Sequence, residues 1–239
     1  MPLPKISTPT YELELPSTGQ TIKYRPFLVR EEKLLVLALE SEDSKQITNA
    51  IKAVIKNCIE TKGIKVESLP TFDIEYLFLN IRGKSVGEEI EVNITCPDDD
   101  ETTVPVMINI DDIQVEKSPK HTNKIKVDDS IMMEMKYPSL DQFIKSNFDF
   151  SGNNAVDQSF ELIASCVDKI YTEDEVWTAA DITKKEITEF LDQMNTTQFK
   201  QIEAFFETMP KLSHTIKVTN PKTKVESEIV LEGLSSFFA

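Results

Sequence analysis

The residues best suited to chemistry in this chain are a cysteine and three aspartates, in the run Cys96-Pro97-Asp98-Asp99-Asp100. A thiolate beside carboxylates could bind a divalent cation, and zinc ribbons place cysteine pairs at similar hairpin turns. A structural zinc site needs four ligands, however, and this run supplies a single cysteine. The aspartates also lack the spaced ligands and closing glutamate of an EF-hand. The run therefore predicts a solvated acidic turn, with no bound metal and no cofactor.

The remaining candidates for catalysis are isolated. His121 and His214 lie far apart in sequence without a serine or cysteine nucleophile motif nearby, so they do not form a triad. Acidic pairs such as Asp111-Asp112 and Asp128-Asp129 fall in predicted loops, where charge runs are usually solvated. Gly83-Lys84-Ser85 is similar to the end of a P-loop but follows a predicted helix and lacks the upstream glycine. We therefore predict that the protein is not an enzyme.

Charge and composition exclude several classes of partner. The net charge of −15, from 41 acidic and 26 basic residues, repels polyanions, so neither nucleic acid nor an anionic membrane is expected to bind. No stretch approaches the roughly 18 apolar residues of a membrane span, and Met1-Pro-Leu-Pro-Lys5 lacks a signal-peptide pattern. Three widely spaced cysteines favour free thiols. We expect a protein that assembles from the cytosol and binds other proteins, with no small-molecule substrate.

The elements that would position these residues begin with a mixed lobe, predicted over residues 1–137. Apolar residues alternate with polar ones in the opening segment and in four later segments, which is typical of strands. These residues are Tyr11, Leu13 and Leu15; Ile90, Val92 and Ile94; Val104, Val106, Ile108 and Ile110; Ile125 and Val127; and Ile131, Met133, Met135 and Tyr137. Pro105 cannot donate to a ladder, so it is expected at a sheet edge or at a bulge.

Three helices are predicted between the opening hairpin and the later strands. The first, over residues 31–40, is apolar on more than one face, which indicates burial on several sides. The second, over residues 44–60, keeps its apolar residues on one face. The third begins near Asp73 and stops near Gly83. The apolar face of the second helix consists of Ile47, Ile51, Val54, Ile55 and Cys58.

Residues 138–239 are predicted to form a helical lobe closed by a β-hairpin and an aromatic tail. Two capping boxes, Ser139 with Gln142 and Thr183 with Glu186, mark helix starts. Apolar residues at helical spacing define three buried faces. These are Val156, Phe160, Ile163, Ala164, Val167 and Ile170; Ile187, Phe190, Leu191 and Met194; and Phe199, Ile202, Phe205 and Phe206. With a final hairpin around Asn220-Pro221, the predicted fold class is α+β.

The C-terminal segment carries the candidate binding residues. Leu231, Leu234, Phe237 and Phe238 are large and apolar, and each gains about 1.5 to 3 kcal/mol when it is buried. Something must therefore cover them. They can fold back onto the helical lobe, as chain termini often do, or dock on a neighbouring subunit. We predict these four residues as partner-binding residues and retain core packing as the alternative.

Several ordered blocks of the sequence resemble one known family. They are Leu3-Pro-Lys-Ile-Ser-Thr-Pro-Thr-Tyr-Glu-Leu-Glu-Leu-Pro16, Ile22-Lys-Tyr-Arg-Pro-Phe-Leu-Val-Arg-Glu-Glu-Lys-Leu-Leu35, Ile81-Arg-Gly-Lys-Ser-Val-Gly-Glu88, Met135-Lys-Tyr-Pro-Ser-Leu140 and Leu231-Glu-Gly-Leu-Ser-Ser-Phe-Phe238. Together they resemble the T4-like phage baseplate family, which includes a hub subunit and a hub assembly catalyst. The blocks run nearly from end to end and include no catalytic signature.

This resemblance implies a structural or assembly protein of the contractile-tail baseplate, made in the infected bacterium and acting at the central hub. Its implied partners are other baseplate hub and tail proteins. The family contains both virion subunits and transient, chaperone-like assembly factors, so both roles remain open. Two further alternatives come from the residues themselves: an acidic hydrolase with a carboxylate pair in the loops after Ile110, and a host-directed inhibitor that occupies a basic site.

Overall fold

The computed structural model describes residues 6–41, 43–140, 142 and 155–237. Six helices and four antiparallel sheets in this part of the chain confirm the predicted α+β class. The chain divides into two compact units. Unit 1 comprises Met1–Val66, Phe72–Glu116 and Lys211–Ala239, and unit 2 comprises Glu67–Thr71 and Lys117–Pro210. None of the helices in the described part combines the length and apolar character needed to cross a bilayer.

Unit 1 contains three helices, two hairpins and a small sheet. Its helices are α1 (Val29–Glu40), α2 (Ser44–Cys58) and α3 (Thr71–Val86). Its hairpins pair β1 (Tyr11–Glu14) with β2 (Thr21–Tyr24), and β3 (Glu89–Thr95) with β4 (Thr103–Asn109). Its three-stranded sheet has the order β11 (Glu226–Glu232), β10 (Lys211–Thr219), β5 (Gln114–Glu116). Both predicted hairpins are confirmed, and Pro105 lies on the edge strand β4.

Unit 2 combines a four-stranded sheet with three helices. The sheet has the order β6 (Lys124–Lys126), β7 (Met132–Met135), β8 (Val167–Tyr171), β9 (Val176–Thr178). The helices are α4 (Ala155–Cys166), α5 (Lys184–Asp192) and α6 (Thr196–Thr208). Both predicted capping boxes form, because Ser139 and Gln142 exchange hydrogen bonds of 2.8 and 3.4 Å. Thr183 and Glu186 do the same at 2.7 and 3.3 Å.

Each unit has its own apolar core. In unit 1 the inward residues of β3 pack with β10, with Leu79 of α3 and with the C-terminal Phe237. In unit 2 the buried residues of β7 and β8 pack against α4, α5 and α6. The alternation of buried and exposed residues along β3 follows the predicted period of two. On α2 the predicted face is confirmed, with Val54, Ile55 and Cys58 fully buried.

Three predictions about individual elements were wrong. Val167 and Ile170 belong to β8 instead of extending α4, since these β-branched residues occupy a strand between β7 and β9. Helix α3 does not stop at Gly83, which lies inside it; a Cβ there would approach Ile110 Cδ1 to 3.1 Å. The turn after the helix uses Gly87 instead, at a φ of +126°. The third correction concerns α1, which is exposed and is described below.

The compact units group the chain differently from the predicted lobes at 1–137 and 138–239. The C-terminal hairpin lies in unit 1 because β10 pairs with β5, with Lys211 opposite Glu116. Unit 2 contains strands as well as helices. The predicted lobes followed the order of elements along the chain. The pairing of β10 with β5 joins segments that are distant in sequence, so no local pattern indicates it. Which division corresponds to independently folding domains stays a prediction.

Candidate functional site

The acidic turn between β3 and β4 is held by hydrogen bonds within the chain. Asn220 Nδ2 lies 3.0 Å from each carboxylate oxygen of Asp98, and Thr223 donates to the same carboxylate. Asp99 accepts from the hydroxyl and backbone N–H of Thr102, which holds the pKa of Asp99 well below its usual range. Cys96 is buried. No group of three or more potential ligands in the described residues could hold a metal ion, and the turn instead anchors the β10–β11 loop.

His121 belongs to a hydrogen-bonded aromatic cluster in unit 2. Its ring nitrogens lie 3.0 Å from Thr208 Oγ1 and 3.0 Å from Tyr137 Oη, and its ring packs against Phe205. Thr208 Oγ1 already donates to the Ala204 carbonyl at 2.6 Å, so it can only accept from Nδ1–H. Nε2 is then the acceptor for Tyr137. Burial lowers the pKa of His121, and Lys117 adds repulsion, so the neutral form is favoured.

The other sequence candidates lie in different elements, and of these Lys84 and Asp111 interact electrostatically. His214 lies on β10 opposite Leu231. Asp128 accepts the backbone N–H groups of its own loop, from Ser130 and Ile131. Gly83-Lys84-Ser85 lies within helix α3, where Ser85 Oγ donates to the Ile81 carbonyl, so it is not a phosphate-binding loop.

Two buried carboxylates that the sequence did not reveal stabilise unit 1. Asp73 is fully buried and accepts from the backbone N–H of Ser17 at 3.0 Å and from its hydroxyl, which ties the β1–β2 turn to α3. Burial raises the pKa of Asp73, and the bonds from Ser17 oppose that rise. The first turn of α1 holds the second carboxylate, Glu31. The sequence around Asp73 predicts only the start of a helix, because its partner Ser17 lies 56 residues away in the chain.

The Glu31 network fixes the start of α1. Its carboxylate lies 3.1 Å from Arg25 Nη2 and 2.7 Å from Arg30 Nε, and it accepts the Leu28 N–H at 2.9 Å. Burial alone would raise the pKa of Glu31, but these hydrogen bonds outweigh it and lower the pKa. Arg25 also donates to the Asn57 carbonyl at the end of α2. Because breaking a buried ion pair is costly, α1 and α2 are held together at this end.

The predicted C-terminal binding residues lie mainly in the core. Leu231 and Phe237 are buried, with 7% and 1% of their surface exposed, and Leu234 packs partly buried against the same cluster. Phe238 lies outside the described residues. Glu75 of α3 accepts the backbone N–H of Leu234, and burial raises the pKa of Glu75 to about 7. The segment therefore packs in the core of unit 1, and the expectation that it folds back onto the helical lobe was wrong, because β11 pairs with β10 and carries the segment to β3 and α3. A partner-binding role for the four residues stays a prediction.

The outer surface of α1 is apolar and exposed, contrary to its predicted burial on several sides. Val29, Leu37 and Leu39 are 70%, 65% and 60% exposed, and Val36 is 48% exposed. Only Glu31 and Ala38 are buried in this helix. The all-round apolar pattern suggested a central helix, but α1 packs against α2 and buries only Glu31 and Ala38. The remaining surface is the type of patch that marks an interaction site.

A groove of about 300 Å³ lies between α1 and α2 beside this surface. We call it the α1–α2 groove. Leucine and alanine side chains form most of its lining, together with two carboxamides and no charged group. The lining residues are Leu34, Leu37, Ala38, Gln46, Asn49, Ala50 and Ala53. Such a lining suits apolar side chains and offers no group for acid–base or nucleophilic chemistry.

Comparison with known proteins gives one family. The sequence profile of the family described as T4 bacteriophage base plate protein matches residues 8–239. This range covers both compact units. Comparison with curated proteins and comparison with solved structures each gave no significant match.

Proposed function

The chain belongs to the T4 bacteriophage base plate protein family, and we propose that it acts at the central hub of the baseplate through contacts with other hub and tail proteins, without covalent chemistry. The family match over residues 8–239 carries the baseplate role. The hub is proposed from the sequence blocks that resemble the hub subunit and the hub assembly catalyst. On this proposal the protein assembles in the cytoplasm of the infected bacterium.

The state of the polar groups supports a binding role. In the described residues, the candidate catalytic groups are engaged in separate structural contacts: Asp98 with Asn220, and His121 with Tyr137 and Thr208. An acidic hydrolase would instead need two carboxylates converging in one pocket. The exposed apolar surface of α1 is suited to contact with a partner. We therefore propose protein–protein contact as the mechanism and do not propose hydrolysis.

Analysis of phage that lack the gene, together with mass spectrometry of purified particles, tests this proposal. We expect the deletion to block tail assembly at the hub stage, with rescue by the gene supplied in trans. Peptides of this protein in purified wild-type tails would identify a virion subunit. Peptides found only in hub intermediates from lysate would identify the transient assembly factor. Normal tails and normal infectivity in the deletion phage would refute the proposed function.

A further inference from the structure

Strand β11 forms one edge of the three-stranded sheet in unit 1, where it pairs with β10 alone. Its hydrogen-bond register follows from the two ends of that pairing. Asn220 N–H donates to the Val225 carbonyl and Gly233 N–H donates to the Leu212 carbonyl, each at 2.9 Å. Hydrogen-bonded pairs alternate with non-bonded pairs in an antiparallel ladder, and the register is continuous between these two ends. Every second residue of β11 therefore directs its backbone N–H and C=O away from β10.

The outward residues of β11 are Glu226, Glu228, Val230 and Glu232. The Glu232 carbonyl accepts the Ser236 hydroxyl at 2.6 Å, which covers that end of the edge. At Glu226, Glu228 and Val230, the outward N–H and C=O have no hydrogen-bond partner within the described part of the chain. The side chains of these three residues are also exposed. The edge thus offers donors and acceptors at a repeat of about 6.8 Å, which is twice the rise per residue of an antiparallel strand.

Most other sheet edges in the described residues are blocked or short. On β9, Thr178 N–H lies 3.1 Å from the Asp181 carboxylate, and the Thr178 carbonyl accepts the Asp181 N–H at 2.9 Å. On β4 an outward position is held by Pro105, which has no N–H. The edge strands β5 and β6 contain three residues each. Since unpaired edges recruit other strands, such blocking is the usual protection. The seven residues of β11 include neither a proline nor a bulge.

Strand β3 is also seven residues long and allows an internal comparison. Its register is fixed in the same way, because Cys96 N–H donates to the Thr102 carbonyl at 2.8 Å. Its outward residues are all polar: Glu89, Glu91, Asn93 and Thr95. On β11 the outward Val230 is apolar and 54% exposed. A strand added beside β11 gains an apolar cross-strand contact in addition to backbone hydrogen bonds, so β11 is the better template.

Resting on the proposed baseplate function, we propose that the outer edge of β11 pairs with an extended segment of another baseplate protein, which continues the sheet as a fourth strand. The backbone groups of β11 require an extended occupant, because a helix uses its own N–H and C=O groups internally. A β-branched residue of that segment opposite Val230 fits the exposed apolar position. This surface recognises backbone shape first and side chains second.

The glutamates of β11 disfavour a second copy of this chain as the occupant. In every antiparallel register of two β11 strands centred on positions 227 to 230, a glutamate of one copy faces a glutamate of the other. Like charges directly opposite each other are destabilising. Glu228 and Glu232 pair with Lys217 and Lys211 of β10, whereas Glu226 forms no ion pair within the described residues. A basic residue of the partner opposite Glu226 therefore adds to the backbone pairing.

Amide hydrogen exchange tests whether this edge is open and whether assembly closes it. In the isolated protein, nuclear magnetic resonance should find fast exchange at Glu228 and Val230 and slow exchange at Ser227 and Ile229, which face β10. In hubs purified from infected cells, mass spectrometry should find the 226–232 segment exchanging at least tenfold more slowly than in the isolated protein. Slow exchange at Val230 in the isolated protein would overturn the proposal, as would unchanged exchange in the hubs.

Proline substitution removes one outward donor and leaves the bonds to β10 in place. Val230→Pro is placed on an edge strand with its N–H side facing solvent, where proline is tolerated. Val230→Thr is the matched control, because it keeps both the N–H and a branched side chain. Glu91→Pro makes the same backbone change at the outward edge of β3. Circular dichroism melts check each fold. Val230→Pro should reduce incorporation into hubs at least tenfold, and both controls should incorporate normally.

Phage experiments separate this proposal from the proposed function. If the gene deletion blocks tail assembly but Val230→Pro folds and assembles normal hubs, the edge proposal fails and the baseplate function stands. If Val230→Thr or Glu91→Pro fails as Val230→Pro does, the loss is not specific to the β11 donor, and the edge proposal fails. If light scattering shows a dimer that Val230→Pro dissolves, the occupant is a second copy and the partner proposal fails. If the deletion has no effect on tails, the proposed function itself fails.

Discussion

Replacement of Phe237 by alanine tests whether the C-terminal segment is part of the core of unit 1. Phe237 is 1% exposed and packs in one cluster with residues of β3, β10 and β11. Leu231 of β11 is buried in the same cluster. If the segment were chiefly a docking peptide, its loss would leave the isolated chain equally stable. The structure instead predicts that the chain depends on it.

The expected cost follows from the burial of the ring. Phe→Ala at a fully buried site removes about 3 to 5 kcal/mol from the free energy of unfolding. For a chain of this size, each kcal/mol lowers the melting temperature by roughly 2 to 4 °C, so a fall of roughly 6 to 20 °C is expected. Urea unfolding followed by far-ultraviolet circular dichroism measures the change directly. Trp177 is the single tryptophan and lies in unit 2, so its fluorescence reports that unit separately.

Leu39→Ala is the matched control, because it also truncates a large apolar side chain but at a position that is 60% exposed. Its effect should stay within about 0.5 kcal/mol. Deletion of residues 235–239 should destabilise unit 1 at least as much as Phe237→Ala. A melting curve unchanged by either Phe237→Ala or the deletion would refute the assignment of this segment to the core. Normal stability with failed hub assembly would restore the predicted docking role.

Four further predictions follow from the structure. Ile55→Ala should cost about 2 to 5 kcal/mol in urea unfolding, and Ile51→Ala should cost less because its side chain is only half-buried. Glu75→Gln should stabilise the protein at pH 8 but not at pH 4.5. The raised pKa of the Glu75 carboxyl stabilises the fold at low pH, and this contribution is lost as pH rises from about 4.5 to 7. Urea unfolding midpoints of the wild type and the variant across this pH range measure the effect. The lowered pKa of His121 acts in the opposite direction, so the contribution of His121 to stability should fall as pH drops below about 6.5, and His121→Gln should remove that contribution in the same titration. Elemental analysis of the purified protein should find no stoichiometric zinc, and one zinc per chain would show that Cys96 has ligands that the geometry does not provide.

Local signals predicted much of the secondary structure correctly. The capping box at Thr183 and Glu186 depends on residues three apart, and it forms as expected. The alternation in β3 and the apolar face of α2 also reflect short-range periodicity. These features could be read from the sequence because each is decided within a few residues. The acidic turn was likewise placed correctly between two strands.

Features that depend on distant residues were missed. The sequence around Val167 continues an apolar helical spacing, and its place in β8 is decided by pairing with β7. Gly83 looked like a helix stop, but it is required where Ile110 crosses close to α3. Asp73 and Ser17 are 56 residues apart in the chain, so no local pattern connects them. The same reason explains why the pairing of β10 with β5 was not foreseen.

The misassigned burial of α1 has a different origin, and it is the more informative error. The prediction from its pattern was that a helix apolar on every side requires cover on every side. The chain supplies that cover on the side of Glu31 and Ala38, and the buried ion pair of Glu31 with Arg25 holds the start of the helix against α2. The ion pair of Glu31 with Arg25 fixes the start of this helix, and Val36, Leu37 and Leu39 stay exposed among the described residues. In a baseplate protein, this makes the α1–α2 surface a further place to test for assembly contacts.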